Sequence, residues 1–142
     1  MTLGSTLAKN AALDACYGDD ASSVWPATVY LAFFHGDPTS GGTELTGTSG
    51  VSRIALANTN TNFAPASGGT KANASQWSST VSSGAWANTA DHWALFDASS
   101  SGNMFDTGQI VDSGGSPTTL TVGSANVIVI IPIGDWVLTQ SS

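Results

Sequence analysis

Two short segments hold the two histidines of this chain, and each places a carboxylate close to the imidazole. His35 is followed by Asp37, while Asp91 directly precedes His92 and Asp97 lies five residues further on. Imidazole nitrogens and carboxylate oxygens are ligands of zinc and related metals, so the pattern allows a mixed site. A histidine at the end of a strand more often bonds the backbone of a turn. We therefore expect neither a metal site nor a catalytic role for these histidines.

Other catalytic and cofactor motifs are missing from the sequence. The chain has 20 Ser, 9 Asp and 2 His, so a Ser/His/Asp combination can be named anywhere and indicates nothing. There is no Gly-x-Ser-x-Gly, P-loop, Cys-x-x-Cys or His-Glu-x-x-His motif. A polysaccharide hydrolase would need a carboxylate pair, for which Asp91, Asp97 and Asp106 are the candidates. We expect no enzyme and no bound cofactor.

A calcium site would need several oxygen ligands that converge on one ion. Asp19-Asp20, or Asp106 with Asp112, could contribute, but no loop has the DxDxDG spacing of a calcium-binding loop. We expect no metal here either.

The strongest local pattern lies between residues 27 and 53, where a strand, a turn and a polar loop end at Arg53, the only arginine. Asp37 before Pro38 predicts an Asx turn, in which the carboxylate accepts backbone N–H groups. Arg53 has two interpretations. It is either a surface charge paired with an acid such as Glu44, or a guanidinium fixed against carbonyls or a carboxylate, holding the 36–50 loop or reaching a neighbouring subunit.

The composition limits the partners of the protein. Only 9% of the residues are charged and 41% are hydrophobic, and the net charge is −7. Three cations cannot neutralise a nucleic-acid backbone, so we expect no nucleic acid as partner. The absence of an apolar run of 18 residues and the negative charge argue against a membrane partner. With 20 Ser and 17 Thr, the surface is suited to dense packing against copies of itself or against neighbours.

The elements predicted from periodicity are one helix followed by short strands. Apolar residues at every fourth position predict an N-terminal helix over residues 1–18, capped by Thr2 or Ser5 and closed by Gly18. Residues 59–75 read as a long polar loop. Residues 127–131 have no polar alternation, which predicts a central strand covered on both faces. The strand candidates are 28–34, 51–57, 76–81, 90–97, 104–111, 118–122, 127–131 and 135–138. We predict one mainly β domain over residues 1–142, with an antiparallel β-sandwich or jelly-roll-like domain at 27–139 and a short N-terminal α-helix.

Five tryptophans and one cysteine have structural explanations. Cys16 lies on the apolar helix stripe and is expected to be a core residue, since a single cysteine forms no internal disulfide. The tryptophans are expected to fill the core or the bases of loops. An exposed Trp86 beside Ser82-Ser83-Gly84 would instead favour carbohydrate stacking.

The order of these motifs resembles a family of small phage virion proteins, labelled tail-fibre-like, head-fibre or capsid decoration proteins. The family pattern is P-x-x-x-Y-x-A-L-x-x-x-D-P, then G-x-E, then G-x-Y-x-R, then GLFDA-x-x-GG-x-L. Among the departures from this pattern, Val51 stands in place of an aromatic residue and Ala94 in place of a glycine. The matching residues are Pro26, Tyr30, Asp37, Pro38, Glu44, Arg53, Leu95, Phe96, Asp97, Ala98 and Gly102.

This resemblance implies a non-enzymatic structural protein of a virion. The N-terminus lacks the basic start and the apolar region of a secretory signal, so we expect the protein to be made in the host cytoplasm. Its structural or interface residues would be Asp37, Pro38, Glu44, Arg53 and Asp97. We expect a decoration or cement protein on the outside of the head, which binds the major capsid protein or other virion proteins. By analogy it would be a homotrimer. The alternative is a tail-fibre, head-fibre or receptor-binding module that recognises host glycans.

Overall fold

One helix and nine short strands make up the chain in a computed structural model, which describes residues 5–19, 21, 25–47 and 50–139. The predicted mainly β, antiparallel fold with a short N-terminal helix is confirmed. The elements in chain order are α1 (Thr6–Asp14), β1 (Thr28–His35), a 3-10 helix (Pro38–Ser40), β2 (Thr43–Glu44), β3 (Ile54–Ala57), β4 (Thr70–Ala72), β5 (Trp77–Ser78), β6 (His92–Phe96), β7 (Met104–Gln109), β8 (Ile130–Ile131) and β9 (Val137–Thr139).

The largest sheet is built around β1. Its strand order is β2-β1-β6-β7, with β3 also paired to β1. The β1–β6 register places Tyr30 opposite Phe96 and Phe34 opposite His92. The β1 sequence TVYLAFFH is rich in β-branched and aromatic residues, which suit a strand buried on both faces. The central strand is therefore β1.

Close contacts divide the chain into two compact units. The first comprises residues 1–28, 57–77 and 131–142, and the second comprises residues 29–56 and 78–130. The single domain over residues 1–142 stays a prediction.

In the first unit, α1 packs against β4, which pairs with β9. The Ser5 side chain accepts a hydrogen bond from the backbone of Ala8 and caps the helix. The core of this unit is aromatic, because the rings of Tyr17, Phe63, Trp77 and Trp136 have centroids 5.2–6.4 Å apart.

In the second unit, one face of the large sheet buries a small cluster of apolar side chains. Ala32 and Phe34 of β1 lie beside Ala94 and Phe96 of β6, with the rings of Phe34 and Phe96 stacked at 6.1 Å. Phe33 lies on the other side of β1, with its ring 5.7 Å from that of Trp86.

Several predicted bounds were wrong. The helix is shorter than residues 1–18, because it begins at Thr6 and its Ala15 cap is followed by turn residues. Leu3 and the alternative cap Thr2 lie outside the described residues. Residues 118–122 form only an isolated bridge between Leu120 and Ala90. The predicted loop at 59–75 contains β4 and the fully buried Phe63.

The most informative error concerns residues 127–131, which were expected to form the central strand. Only Ile130–Ile131 is a strand, and it pairs with β5 alone in a two-stranded sheet. Val129 is buried, but Ile128 and Ile130 are exposed on either side of it. The run alternates in exposure although it does not alternate in polarity. In the described part of the chain, no helix has the length and apolarity needed to cross a membrane.

Candidate functional site

The turn after β1 is fixed by Asp37. Its carboxylate accepts hydrogen bonds from the Thr39 backbone N–H at 2.8 Å and the Thr39 hydroxyl at 2.7 Å. These two hydrogen bonds hold the pKa of Asp37 below its usual value. Pro38 occupies the start of the 3-10 helix, where its missing N–H costs nothing. The predicted Asx turn is present, and the Asp37 carboxylate stabilises this turn.

The last part of the family pattern, from Leu95 to Gly102, continues from β6 into the loop between β6 and β7. Asp97 accepts hydrogen bonds from the backbone N–H of Asn103 at 2.7 Å and from its side-chain amide at 2.8 Å. Both bonds lower the pKa of Asp97. Gly102 has φ +79°, and a Cβ there would lie 2.3 Å from the Asp97 carboxylate. The Asp and Gly of this motif are thus required by a tight loop closure.

Arg53 connects Glu44 in β2 to the loop between β6 and β7. Its Nε and Nη2 donate to the two carboxylate oxygens of Glu44 at 2.8 and 2.9 Å. Its Nη1 donates to the carbonyl oxygens of Ala98 and Ser101, both at 2.8 Å. The guanidinium carbon lies 3.7 Å from the centroid of the Phe96 ring. We call Arg53, Glu44, Phe96 and these two carbonyls the arginine clasp.

The geometry of the clasp explains why an arginine stands here. The guanidinium fork matches the two carboxylate oxygens, and its flat face packs on an aromatic ring. The Arg53 side chain is 4% exposed and that of Glu44 is 23% exposed. Four of the five N–H donors of a guanidinium are engaged within the chain. The clasp therefore connects β2 to the β6–β7 loop. Arg53 is paired with Glu44 as expected, but it is buried and fixed against carbonyls and a carboxylate, so it is not a surface charge.

The two histidines bond to neighbouring loops. Nδ1 of His35 lies 2.9 Å from the carbonyl oxygen of Thr89. Nδ1 of His92 lies 2.8 Å from Oδ1 of Asp91, and the same oxygen accepts a hydrogen bond from the backbone N–H of Gly36 at 2.7 Å. The His92 contact is the main cause that lowers the pKa of Asp91.

No group of three metal-ligating side chains is found in the described ranges, which exclude Asp20. Trp86 is buried and provides no exposed stacking platform, contrary to the carbohydrate option. Trp77 and Trp136 are also buried, while Trp25 and Trp93 are half-buried. Cys16, expected in the core, is half-buried as well.

Sequence reasoning missed a second ion pair, in the other unit. The Lys71 side chain is fully buried, and its Nζ donates to Oδ1 of Asp14 at 2.7 Å. The same Asp14 oxygen accepts the backbone N–H of Ala66 at 2.8 Å. The scarcity of cations was the one available signal, since Lys71 is one of only three Lys and Arg residues in the sequence.

A buried asparagine was missed as well. Asn73 Oδ1 accepts the backbone N–H groups of Gly134 and Trp136 at 2.9 and 3.0 Å. Its Nδ2 donates to the carbonyls of Pro132 and Ser75 at 2.7 and 2.9 Å. The side chain thus connects the end of β4 to the segment before β9.

The chain as a whole resembles a known protein family. A family model described as "Podophage GP4 fiber I protein gp80" matches residues 4–129. No curated protein matches the chain. The match spans both ion pairs and both family loops, and it confirms the resemblance to small phage virion proteins. This chain belongs to the family of the podophage GP4 fiber I protein gp80 and is a component of the phage virion.

Proposed function

We propose that this protein is a non-enzymatic structural subunit of a phage fibre. The observation that carries the proposal is the fibre-family match over residues 4–129, most of the chain. The geometry of the motif residues supports it. The polar side chains of the motifs bond to backbone groups and to one another, as in the arginine clasp, which is the arrangement of a scaffold. Its partners would be other virion proteins and further copies of the same chain.

Decoration of the outside of the head is the second candidate. The low fraction of charged residues and the many Ser and Thr side chains favour it. A neutral polar surface can match a capsid lattice without burying unpaired charges, each of which would cost several kcal/mol. The net negative charge would keep neighbouring particles apart. This role predicts binding to the major capsid protein.

Electron microscopy of intact particles distinguishes the two roles. Particles that carry a tag at the exposed Ser113–Gly115 turn would be labelled with an antibody fragment. The fibre proposal expects label on fibres or the tail only. Label at regular positions over the head would overturn it in favour of decoration.

Heating supplies an independent test of the second role. A protein that strengthens the shell should raise the temperature at which the genome escapes, so particles without it should release DNA at lower temperature. An unchanged release temperature, measured with a DNA-binding dye, would contradict the cement function and agree with the fibre proposal.

A further inference from the structure

Two segments of the second unit, residues 78–82 and 126–130, are paired by an unusual hydrogen-bond pattern. The backbone N–H of Ser79 donates to the carbonyl of Val129, and that of Ser82 donates to the carbonyl of Val127, both at 2.9 Å. In return, the N–H groups of Val129 and Val127 donate to the hydroxyls of Ser79 and Ser82 at 2.9 and 3.1 Å. The two serines are buried. We call residues 78–82 and 126–130 the serine ribbon.

The register of the serine ribbon determines what faces outwards. Val129 is buried, and the residues on either side of it, Ile128 and Ile130, are 47% and 53% exposed. Because Ser79 and Ser82 pair with Val129 and Val127, Thr80 and Val81 lie opposite Ile128 in a bulge. Val81 is also half exposed. The exposed β-branched side chains Val81, Ile128 and Ile130 form what we call the isoleucine patch.

The charge distribution singles out this region. Residues 72–90 and 113–134 contain no Asp, Glu, Lys, Arg or His, and the two halves of the ribbon lie one in each stretch. All ten acids are elsewhere in a chain whose net charge is −7. Isolated exposed isoleucines are ordinary, but here three exposed apolar side chains lie on two segments that carry no charge of their own, in a strongly acidic chain.

We propose that two copies of this chain associate through the isoleucine patch in a two-fold contact, patch against patch, in place of the trimer expected by analogy. The inference rests on the self-association included in the proposed function, and it names the contact. Identical copies repel one another through their acidic surfaces, and they can meet at a face that is free of charge. A basic partner would be drawn to the acids instead, since the ribbon offers it no opposite charge. The exposed hydroxyl residues Ser78 and Thr80 lie on the same segment as Val81, and polar residues beside an apolar centre are usual in an interface.

The first test replaces the two isoleucines together, Ile128→Thr with Ile130→Thr. Threonine keeps the β-branched shape and removes apolar surface, so the fold should be retained, as circular dichroism would show. We expect self-association, measured by sedimentation over a micromolar dilution series, to weaken at least tenfold. The matched control is Val137→Thr, which alters a side chain of 47% exposure in β9 outside the ribbon and should leave association unchanged.

A charge pair tests whether the occupant is a second copy. In a two-fold contact each patch faces another patch, so Ile128→Asp and Ile128→Lys should each prevent association when alone. Mixing the two variants should restore it, because opposite charges would then face each other. Mixtures that stay monomeric would overturn the proposal.

Two further outcomes distinguish an error in the patch from an error in the proposed self-association. If the unchanged protein associates and the double threonine variant associates equally well, the patch is wrong while self-association stands. If the unchanged protein is monomeric at every concentration, the patch proposal and the self-association in the proposed function both fail. The patch would then be covered by a different protein.

Discussion

Two cations of this acidic chain are buried in ion pairs, and the two pairs are built differently. Arg53 makes four hydrogen bonds, two to the Glu44 carboxylate and two to backbone carbonyls, and its face packs on Phe96. Lys71 is less exposed still, at 0% against 4%, and its Nζ is bonded to Asp14. One cation is held by several groups and the other depends on a single carboxylate.

This difference determines whether the cation or the acid of each ion pair contributes more to stability. If Glu44 is lost, Arg53 keeps two carbonyls and an aromatic face. If Asp14 is lost, a fully buried ammonium loses the carboxylate that compensates it. A buried charge without its partner costs much more than the pair contributes when intact. In the arginine clasp the cation is therefore the critical member, whereas in the lysine pair it is the acid.

The largest effect is expected from Asp14→Ala. It leaves the Lys71 charge buried and uncompensated, so the free energy of unfolding should fall by about 3–5 kcal/mol. Urea unfolding followed by tryptophan fluorescence measures it. A fall below about 1 kcal/mol, as for an exposed pair, would mean that Lys71 is not trapped inside the fold.

A rescue experiment serves as the control for that variant. Lys71→Met removes the charge and keeps an unbranched apolar chain of similar length, so adding it to Asp14→Ala should recover most of the lost stability. In a double-mutant cycle, the two changes should be strongly non-additive. If they are additive, the two side chains do not act as a pair.

The second largest effect is expected in the arginine clasp, where losing the cation should reduce stability more than losing the acid. Arg53→Ala removes all four hydrogen bonds and the contact with Phe96, and should lower the unfolding free energy by about 2–4 kcal/mol. Arg53→Lys keeps the charge but loses the fork, and should cost about 1–3 kcal/mol. Thermal unfolding of both variants measures this. A change within about ±0.5 kcal/mol for Arg53→Ala would identify a plain surface charge.

A smaller effect is expected from Glu44→Gln. The amide keeps one oxygen for a guanidinium N–H, and the bonds to Ala98 and Ser101 remain. The expected loss is about 1–2 kcal/mol, below that of Arg53→Ala. If Glu44→Gln proves more damaging than Arg53→Ala, the asymmetry proposed for the clasp is wrong.

The comparison also shows how far the sequence could predict the fold and the site. Asp37 and Arg53 were identifiable because an Asx turn follows a local rule and a single arginine stands out in the sequence. Asp97 was assigned a structural role only through the family pattern. That Arg53 reaches Ala98 and Ser101 was not predictable, since those residues lie 45 and 48 positions away. The family resemblance grouped the segments without showing their contact.

The Lys71–Asp14 pair had no local pattern. Lys71 stands in TKA within a stretch rich in Ser, Asn and Gly, which composition assigns to a loop. It becomes a buried strand residue because β4 pairs with β9, about 65 residues later in the chain. For residues 127–131 the error was the reverse. Apolar composition predicted burial on both sides, yet Ile128 and Ile130 are exposed, and composition does not state whether a covering surface belongs to the same chain.

The smallest effect is expected on the acid side of the pH range, where the Asp14 carboxylate of the lysine pair becomes protonated. Burial by itself would raise the pKa of Asp14, but hydrogen bonds from Lys71 and Ala66 and the charge of Lys71 outweigh burial, so the pKa is lowered. A folded-state pKa below the unfolded value, about 3.9, means that this carboxylate stabilises the fold fully above that pH. The contribution is lost as the pH falls through the lower, folded-state pKa.

The double variant Asp14→Ala with Lys71→Met should therefore lose stability less steeply than the unchanged protein below about pH 4, in urea midpoints measured along a pH series. Asp37, Asp91 and Asp97 also have lowered pKa values and would supply the slope that remains. Equal slopes for the two proteins would show that Asp14 is not held in its charged form by Lys71.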